Sequence, residues 1–206
     1  MNRLDLVVGP NGAGKSTFVA LTLAPLLPGS VFVNADEIAR ARWPEDPAGH
    51  AYDAARVAAA TRARLIELRR SFIAETVFSH PSKLDLIAAA QAADYTVVLH
   101  VLLIPEELAV QRVAHRVRAG GHDVPENKIR ERHRRLWALV ARAVALSDTA
   151  TVYDNSALSG PRIVAQFSRG EIVGAPNWPL WTPEAIGRAG QRFQHLSPNA
   201  SRTQRN

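Results

Sequence analysis

Residues 9–17 read Gly-Pro-Asn-Gly-Ala-Gly-Lys-Ser-Thr and follow directly on the apolar run Leu4-Asp5-Leu6-Val7-Val8. Nothing else in the chain restricts its fold as much. A Gly-x4-Gly-Lys-Ser segment between a buried strand and a helix turns its backbone N–H groups inward around phosphate oxygens. The helix that follows adds partial positive charge at its first turn. This context places the loop at the carboxyl end of the first strand of a parallel α/β sheet. In this pattern Lys15 meets the β- and γ-phosphates and the Ser16 hydroxyl ligates Mg²⁺. The candidate residues for binding ATP or GTP are therefore Gly9, Pro10, Asn11, Gly12, Ala13, Gly14, Lys15, Ser16 and Thr17.

The rest of the chain alternates strand and helix signals. The loop helix is expected from Ser16 to Leu26, ended by Pro25 and Pro28. Val31-Phe32-Val33 reads as a second strand that runs out at Asn34-Ala35-Asp36-Glu37. An Ala-, Arg- and Leu-rich stretch over 47–70 favours one long helix. Phe72-Ile73-Ala74-Glu75-Thr76 reads as a third strand, and 82–93 as a helix with Ser82 as its N-cap. The continuous apolar run from Thr96 to Leu103 suits a strand covered on both faces. Helices opened by Pro105 and Pro125 flank Gly120-Gly121, and the second carries Ile129, Leu136, Val140 and Val144 at helical spacing. A fifth strand, Ala150–Asp154, is followed by a hairpin over 162–173. The predicted fold is α/β, of the P-loop NTPase/kinase kind: a doubly wound, mainly parallel five-stranded sheet with a helical lid and a C-terminal hairpin. The expected organisation is a domain over 1–175 with a lid at 112–135, a Pro- and Trp-rich strap over 176–196, and a disordered tail over 197–206.

Composition narrows the class. A chain of 206 residues, 47% of them hydrophobic, holds one ordinary core and does not read as disordered throughout. No apolar run reaches the length of about 18 residues that a membrane span needs, and the first residues lack a signal-peptide pattern. The absence of cysteine excludes disulfides and thiolate zinc sites. A loop that consumes cytosolic nucleotide implies a cytoplasmic protein. The formal charge is +6, and residues 112–135 hold eight basic side chains against three acidic ones. Such focused charge suits an anionic ligand at one place, although an Arg-rich solvated helix reads the same way. A nucleic-acid face is the other alternative, and the lack of glycine-flanked aromatic motifs weighs against it.

Three features point from nucleotide binding to phosphoryl transfer. Asp36 stands at the expected end of the second strand, where a carboxylate can take a proton from a substrate hydroxyl or orient it. Capping the next helix is its other reading. Glu75 and Thr76, at the end of the third strand, are candidates for binding substrate hydroxyls or a magnesium-bound water, or for pairing with an arginine. The arginines bracketing Gly120-Gly121 suit a lid that neutralises a transferring phosphoryl group. Arg116 and Arg118 precede the glycines. Arg132 falls on the edge of the next helix's apolar face, whereas Arg130 and Arg134 share a more exposed one. No Asn/Thr-Lys-x-Asp base-reading segment of the GTPases is present. A P-loop protein holding nucleic acid and a nucleotide-binding regulatory module without turnover remain the competing classes.

Together these residues resemble the zeta-toxin family of P-loop kinases. The resemblance rests on the glycine loop, Val33-Asn34-Ala35-Asp36-Glu37, Ala74-Glu75-Thr76-Val77-Phe78-Ser79, and Arg118-Ala119-Gly120-Gly121-His122-Asp123-Val124-Pro125 with Ile129 and Arg132. It implies an ATP- and Mg²⁺-dependent kinase acting on a hydroxyl of a small molecule, such as the nucleotide sugar UDP-N-acetylglucosamine. It further implies Lys15 on phosphate, Ser16 on magnesium, Asp36 as base, Glu75 and Thr76 on substrate, lid arginines including Arg118 and Arg132 on the transferred phosphate, and an antitoxin protein as partner.

Overall fold

The computed structural model describes residues 2–119 and 124–190. Five strands run parallel: β1 (Asn2–Val8), β2 (Val31–Val33), β3 (Phe72–Thr76), β4 (Tyr95–Leu103) and β5 (Thr149–Asp154). Two more, β6 (Arg162–Ser168) and β7 (Glu171–Val173), add antiparallel to the edge of β5. The order is β2-β3-β1-β4-β5-β6-β7 in one sheet. The sheet thus has seven strands and not the five expected, because the C-terminal hairpin is part of it. A two-stranded hairpin is marginal alone, and an open β5 edge would leave a row of unpaired backbone groups. Pairing β6 along the whole of β5 removes both problems.

The helix after the glycine loop is composite. An α-turn, α1 (Lys15–Phe18), passes into a π-helical turn (Val19–Leu23) and closes as α2 (Ala24–Leu26). Pro25 lies inside this helix and does not end it. Proline has no N–H for the ladder, and the wider π register immediately before it takes up the irregularity. The long helix expected over 47–70 is α4 (Ala51–Glu67). A short helix, α3 (Ala35–Arg42), precedes it, and the two are joined by a turn in which Trp43 stacks on His50 with ring centroids 4.8 Å apart. The remaining helices are α5 (Ser82–Ala92), α6 (Glu106–Arg118), α7 (Glu126–Leu146) and the short α8 (Glu184–Gly187). Ser82 is the first residue of α5; its N-cap is Pro81, and no side chain caps the helix. Gly120-Gly121, His122 and Asp123 lie outside the described residues, as does the expected 197–206 tail.

Alternation along the strands divides the interior in two. Leu4, Leu6 and Val8 of β1 and Phe72 and Ala74 of β3 face a core closed by α4, α5, α7 and α8. Val7 and Ile73 face the other way, into a core closed by Phe18, Val19 and Leu23 of the loop helix and by Ala109 and Val113 of α6. The expected lid helices are therefore packed elements. Ile129, near the start of α7, is buried in the second core, while Leu136, Val140 and Val144 fill the first. Asp5 interrupts the apolar reading of β1. It is buried, it accepts from Arg3 at 2.6 and 2.7 Å, and it pairs with His100 of β4 at 2.9 Å. Burial alone would raise its carboxyl, but the bonds to His100 and Arg3 hold it below its ordinary value.

Candidate active site

The glycine loop joins β1 to α1 at the carboxyl edge of the sheet. Gly14 is the N-cap of α1 with φ 80° and ψ 24°, in the left-handed region that favours glycine. A Cβ on Gly12, at φ 76°, would stand 2.9 Å from the Ala109 carbonyl oxygen of α6. Two glycines thus let the loop curl against α6. From the far side, Asn155 after β5 donates Nδ2–H to the Ala13 carbonyl at 2.8 Å, and Arg112 donates to the carbonyls of Asn155 and Ser156 at 2.9 and 3.3 Å. Asn155 and Arg112 were not foreseen in this bracing role. No local signal marks a bond that spans so much of the chain.

Lys15 lies across the loop, donating to the Pro10 carbonyl at 3.1 Å, with its Nζ 3.8 Å from Glu75 Oε1. Burial pushes its ammonium well below the ordinary range; the charges of Glu75 and Asp36 oppose that, and Arg116 adds to it. The ammonium and the charge of Arg116 suit phosphate oxygens, and the carboxylates of Glu75 and Asp36 beside them suit a cation bound with the phosphates. Glu75 is the hub. Its Oε2 accepts from the Ser16 hydroxyl at 2.8 Å and from Asn34 Nδ2 at 2.6 Å. The register explains the meeting: Glu75 of β3 is opposite Val7 of β1, so its side chain projects on the face of the loop helix. Its partners are Lys15, Ser16 and Asn34, not the arginine of the alternative reading. Thr76 alternates to the opposite face, that of Phe72 and Ala74, and its hydroxyl accepts from the Phe78 amide at 3.3 Å. The adjacent pair Glu75-Thr76 is thus split across the sheet.

Asp36 is not a strand-end residue. It is in the first turn of α3, and the cap is Asn34, whose Oδ1 accepts from the amides of Asp36 and Glu37 at 2.7 and 3.3 Å. Asn34 therefore uses one side-chain atom to start α3 and another to hold Glu75. That leaves the Asp36 carboxylate exposed, close enough for its charge to be felt at Lys15.

The arginine cluster separates into groups. Arg116 is half-buried and acts electrostatically on Lys15. Arg118 is exposed at the end of α6, and Arg132 is half-buried on α7. Arg130 is not on an exposed face. Its side chain is 25% exposed and bridges Glu106, Glu107 and Glu126. Glu106 also pairs with Arg134, while Arg135 bonds Glu131 and the Ser79 carbonyl. Two of the basic side chains counted along the sequence, Arg130 and Arg134, thus pair with acids at the start of α6, outside the counted window. Arg130 and Arg134 clasp α6 to α7. A free basic strip for nucleic acid is not what these two residues make.

The residues fit a nucleoside triphosphate with a hard cation. The loop is shaped by glycine, the buried lysine lies across it, and Ser16 and Glu75 supply the oxygen donors that Mg²⁺ prefers. The family model described as Zeta toxin matches residues 2–158, from β1 through the loop after β5. The chain belongs to the zeta-toxin family. Membership supports ATP-dependent phosphotransfer in general. Solved structures share the fold at low identity. A complex of AvrRxo1-ORF1 with AvrRxo1-ORF2 and sulphate ions aligns with TM-score 0.68 and 16% identity, over 86% of this chain and 61% of that one. The same pair with ATP aligns with TM-score 0.66 and 15% identity, over the same shares of 86% and 61%. The PezAT chromosomal toxin–antitoxin system of Streptococcus pneumoniae aligns with TM-score 0.58 and 14% identity, over 75% of this chain and 67% of that one. This zeta-toxin-family chain therefore spans about three fifths of the AvrRxo1 chain it matches, 61%. No curated protein sequence matches it. No helix among the described residues is long and apolar enough to cross a membrane.

Proposed function

We propose that this chain transfers the γ-phosphoryl group of ATP to a hydroxyl of a small metabolite, with a nucleotide sugar such as UDP-N-acetylglucosamine as the acceptor that the family implies. The observation that carries the reading is the grouping of Lys15, Ser16, Glu75 and Asp36 at one edge of the sheet. Lys15 and the loop amides hold the β- and γ-phosphates. Ser16 is the magnesium ligand, and Glu75 orients it through the 2.8 Å bond and holds magnesium-bound water. The ion, when bound, neutralises charge on the transferred group. Asp36, exposed beside this cluster, takes the proton from the acceptor hydroxyl as the oxygen attacks in line. Arg116, whose charge is felt at Lys15, contacts nucleotide phosphate, while Arg118 and Arg132 close over the transferred group. Thr76 lies on the acceptor side, separated from Glu75 by strand alternation. Structural neighbours solved with a second protein support an antitoxin-like partner, and the nucleotide requirement supports a cytoplasmic setting.

The test is a metabolite-pool phosphorylation screen with labelled ATP, comparing wild type with Asp36→Asn. The expected result is one labelled hydroxyl-bearing product in the wild-type reaction and almost none in the variant. Label incorporated into RNA or DNA, or equal labelling by both proteins, would overturn the assignment.

A further inference from the structure

The bond from Asn155 to the Ala13 carbonyl decides which way a peptide of the glycine loop faces. The unit joining Ala13 to Gly14 is planar and trans, so its carbonyl and its N–H point to opposite sides. Gly14 alone does not choose between those sides. Glycine takes positive and negative φ about equally, so the unit could turn over and present its carbonyl oxygen where an anion would lie. Neighbouring carbonyls are held locally: Pro10 accepts from the Ala13 N–H at 3.2 Å, and Gly14 from the Phe18 N–H at 2.9 Å. The Ala13 carbonyl instead accepts from a side chain 142 residues along the chain, Asn155, at 2.8 Å. A Cβ on Gly14 would stand 2.8 Å from Asn155 Nδ2, so glycine at this position is also what admits the asparagine. The direction of the side-chain amide is forced, because a carbonyl only accepts and only Nδ2 can donate to it.

Asn155 is itself fixed at both of its main-chain groups. Its N–H donates to the Leu103 carbonyl, at the end of β4, at 3.0 Å. Its carbonyl accepts from Arg112 of α6 at 2.9 Å, and the other arm of that guanidinium reaches the Ser156 carbonyl at 3.3 Å. One residue is thereby tied to β4, to α6 and to the loop. We propose that Asn155 is a positioning residue for the nucleotide: it holds the Ala13 carbonyl away from the phosphates and so turns the Gly14 N–H toward them, with Arg112 keeping Asn155 in place. A donor aimed before its ligand arrives need not be ordered on binding, and its bond to a charged oxygen is stronger than one between neutral groups. The planar fork of Arg112 suits two successive carbonyls, which a lysine could not span. The assignment rests on the reading of the loop as a triphosphate site, and names the side chain that sets the polarity of that site.

The test titrates inorganic pyrophosphate with Mg²⁺ into the full chain by calorimetry, as wild type, Asn155→Asp, Asn155→Ala and Arg112→Lys. Asn155→Asp keeps the shape of the side chain but presents only acceptors, and Asn155→Ala removes the donor without adding charge. Both should weaken binding about tenfold or more, the weight of one charge-assisted hydrogen bond. Arg112→Lys should weaken it less. The Gly14 amide is followed by nuclear magnetic resonance. In wild type its proton should move downfield as pyrophosphate binds, and in both Asn155 variants that movement should be lost. Thermal midpoints of the ligand-free proteins separate this role from simple bracing, which would lower the midpoint but leave affinity and the Gly14 response unchanged. Should an Asn155 variant fail to fold, Arg112→Lys carries the same readouts, and wild-type values in it would count against the assignment. Wild-type affinity in Asn155→Ala, weakening in Asn155→Asp alone, or an unaltered Gly14 response in both would overturn it. No pyrophosphate binding by wild type would overturn the triphosphate reading and this assignment together. Failure of the kinase reading alone is seen separately, as absence of labelled product from wild type that still binds pyrophosphate.

Discussion

Lys15 illustrates how one side chain can be costly to the fold and central to the chemistry. Its ammonium is buried and pushed below the ordinary value of 10.5, with Glu75 and Asp36 as partial countercharges. Removing it leaves the loop backbone intact, since the glycine conformations and the Asn155 bond to Ala13 do not depend on it. Lys15→Ala is therefore expected to fold normally by circular dichroism and to lose phosphoryl transfer in the labelled-ATP assay. Transfer near the wild-type rate would refute the role. Asp36→Asn addresses the acceptor side. General-base carboxylates contribute about 10²–10⁴-fold in rate, so turnover should fall in that range while ATP affinity by titration stays near normal. The α3 cap is Asn34, so the substitution should not unwind the helix. A collapse of ATP affinity would mean that Asp36 serves the nucleotide instead.

At the scale of elements, α6 and α7 form a clasped pair. Arg130 ties Glu106, Glu107 and Glu126 together, and His133 Nε2–H donates to the Ile104 carbonyl at 3.0 Å while Trp137 donates to its other nitrogen at 3.4 Å. Arg130→Ala is expected to lower the thermal midpoint by a measurable few degrees. Arg134→Ala, at a side chain 71% exposed, should shift it little, because exposed ion pairs contribute about 0–1 kcal/mol. Equal effects would mean that the clasp has no special weight. The same pair carries Arg116, Arg118 and Arg132. Amide exchange in α6 and the first turns of α7 should slow when a non-hydrolysable ATP analogue and Mg²⁺ are bound, and unchanged exchange would argue against closure over phosphate.

For the whole molecule, the segment after β7 belongs to the main core. Ile186 of α8 is fully buried and shares the cluster of Leu136, Val140 and Phe167, with Trp178 and Trp181 packed beside it. Ile186→Ala should cost about 2–5 kcal/mol in a denaturant titration, the range for such truncations in a packed core. The loss should appear within a single cooperative transition. A cost below about 1 kcal/mol, smaller than typical for a core truncation, would show the segment to be a loose appendage.

The glycine loop was legible in the sequence because its chemistry is local. Successive residues must supply turn, amides, lysine and hydroxyl, so their order alone specifies them. The parallel strands and most helices were legible for the same reason, since apolar periodicity and flanking prolines act over short distances. Tertiary structure decided what depends on register and on distant partners. It set Glu75 on Ser16 and Thr76 on the opposite face, because a strand turns adjacent side chains apart. It passed the helix cap from Asp36 to Asn34 and buried Asp5 against His100. It carried the sheet on to β7 by pairing β6 with the open edge of β5. It also paired Arg130 with glutamates at the start of α6. Charge along a chain can be counted in one dimension; whether it is neutralised depends on which helices meet in three.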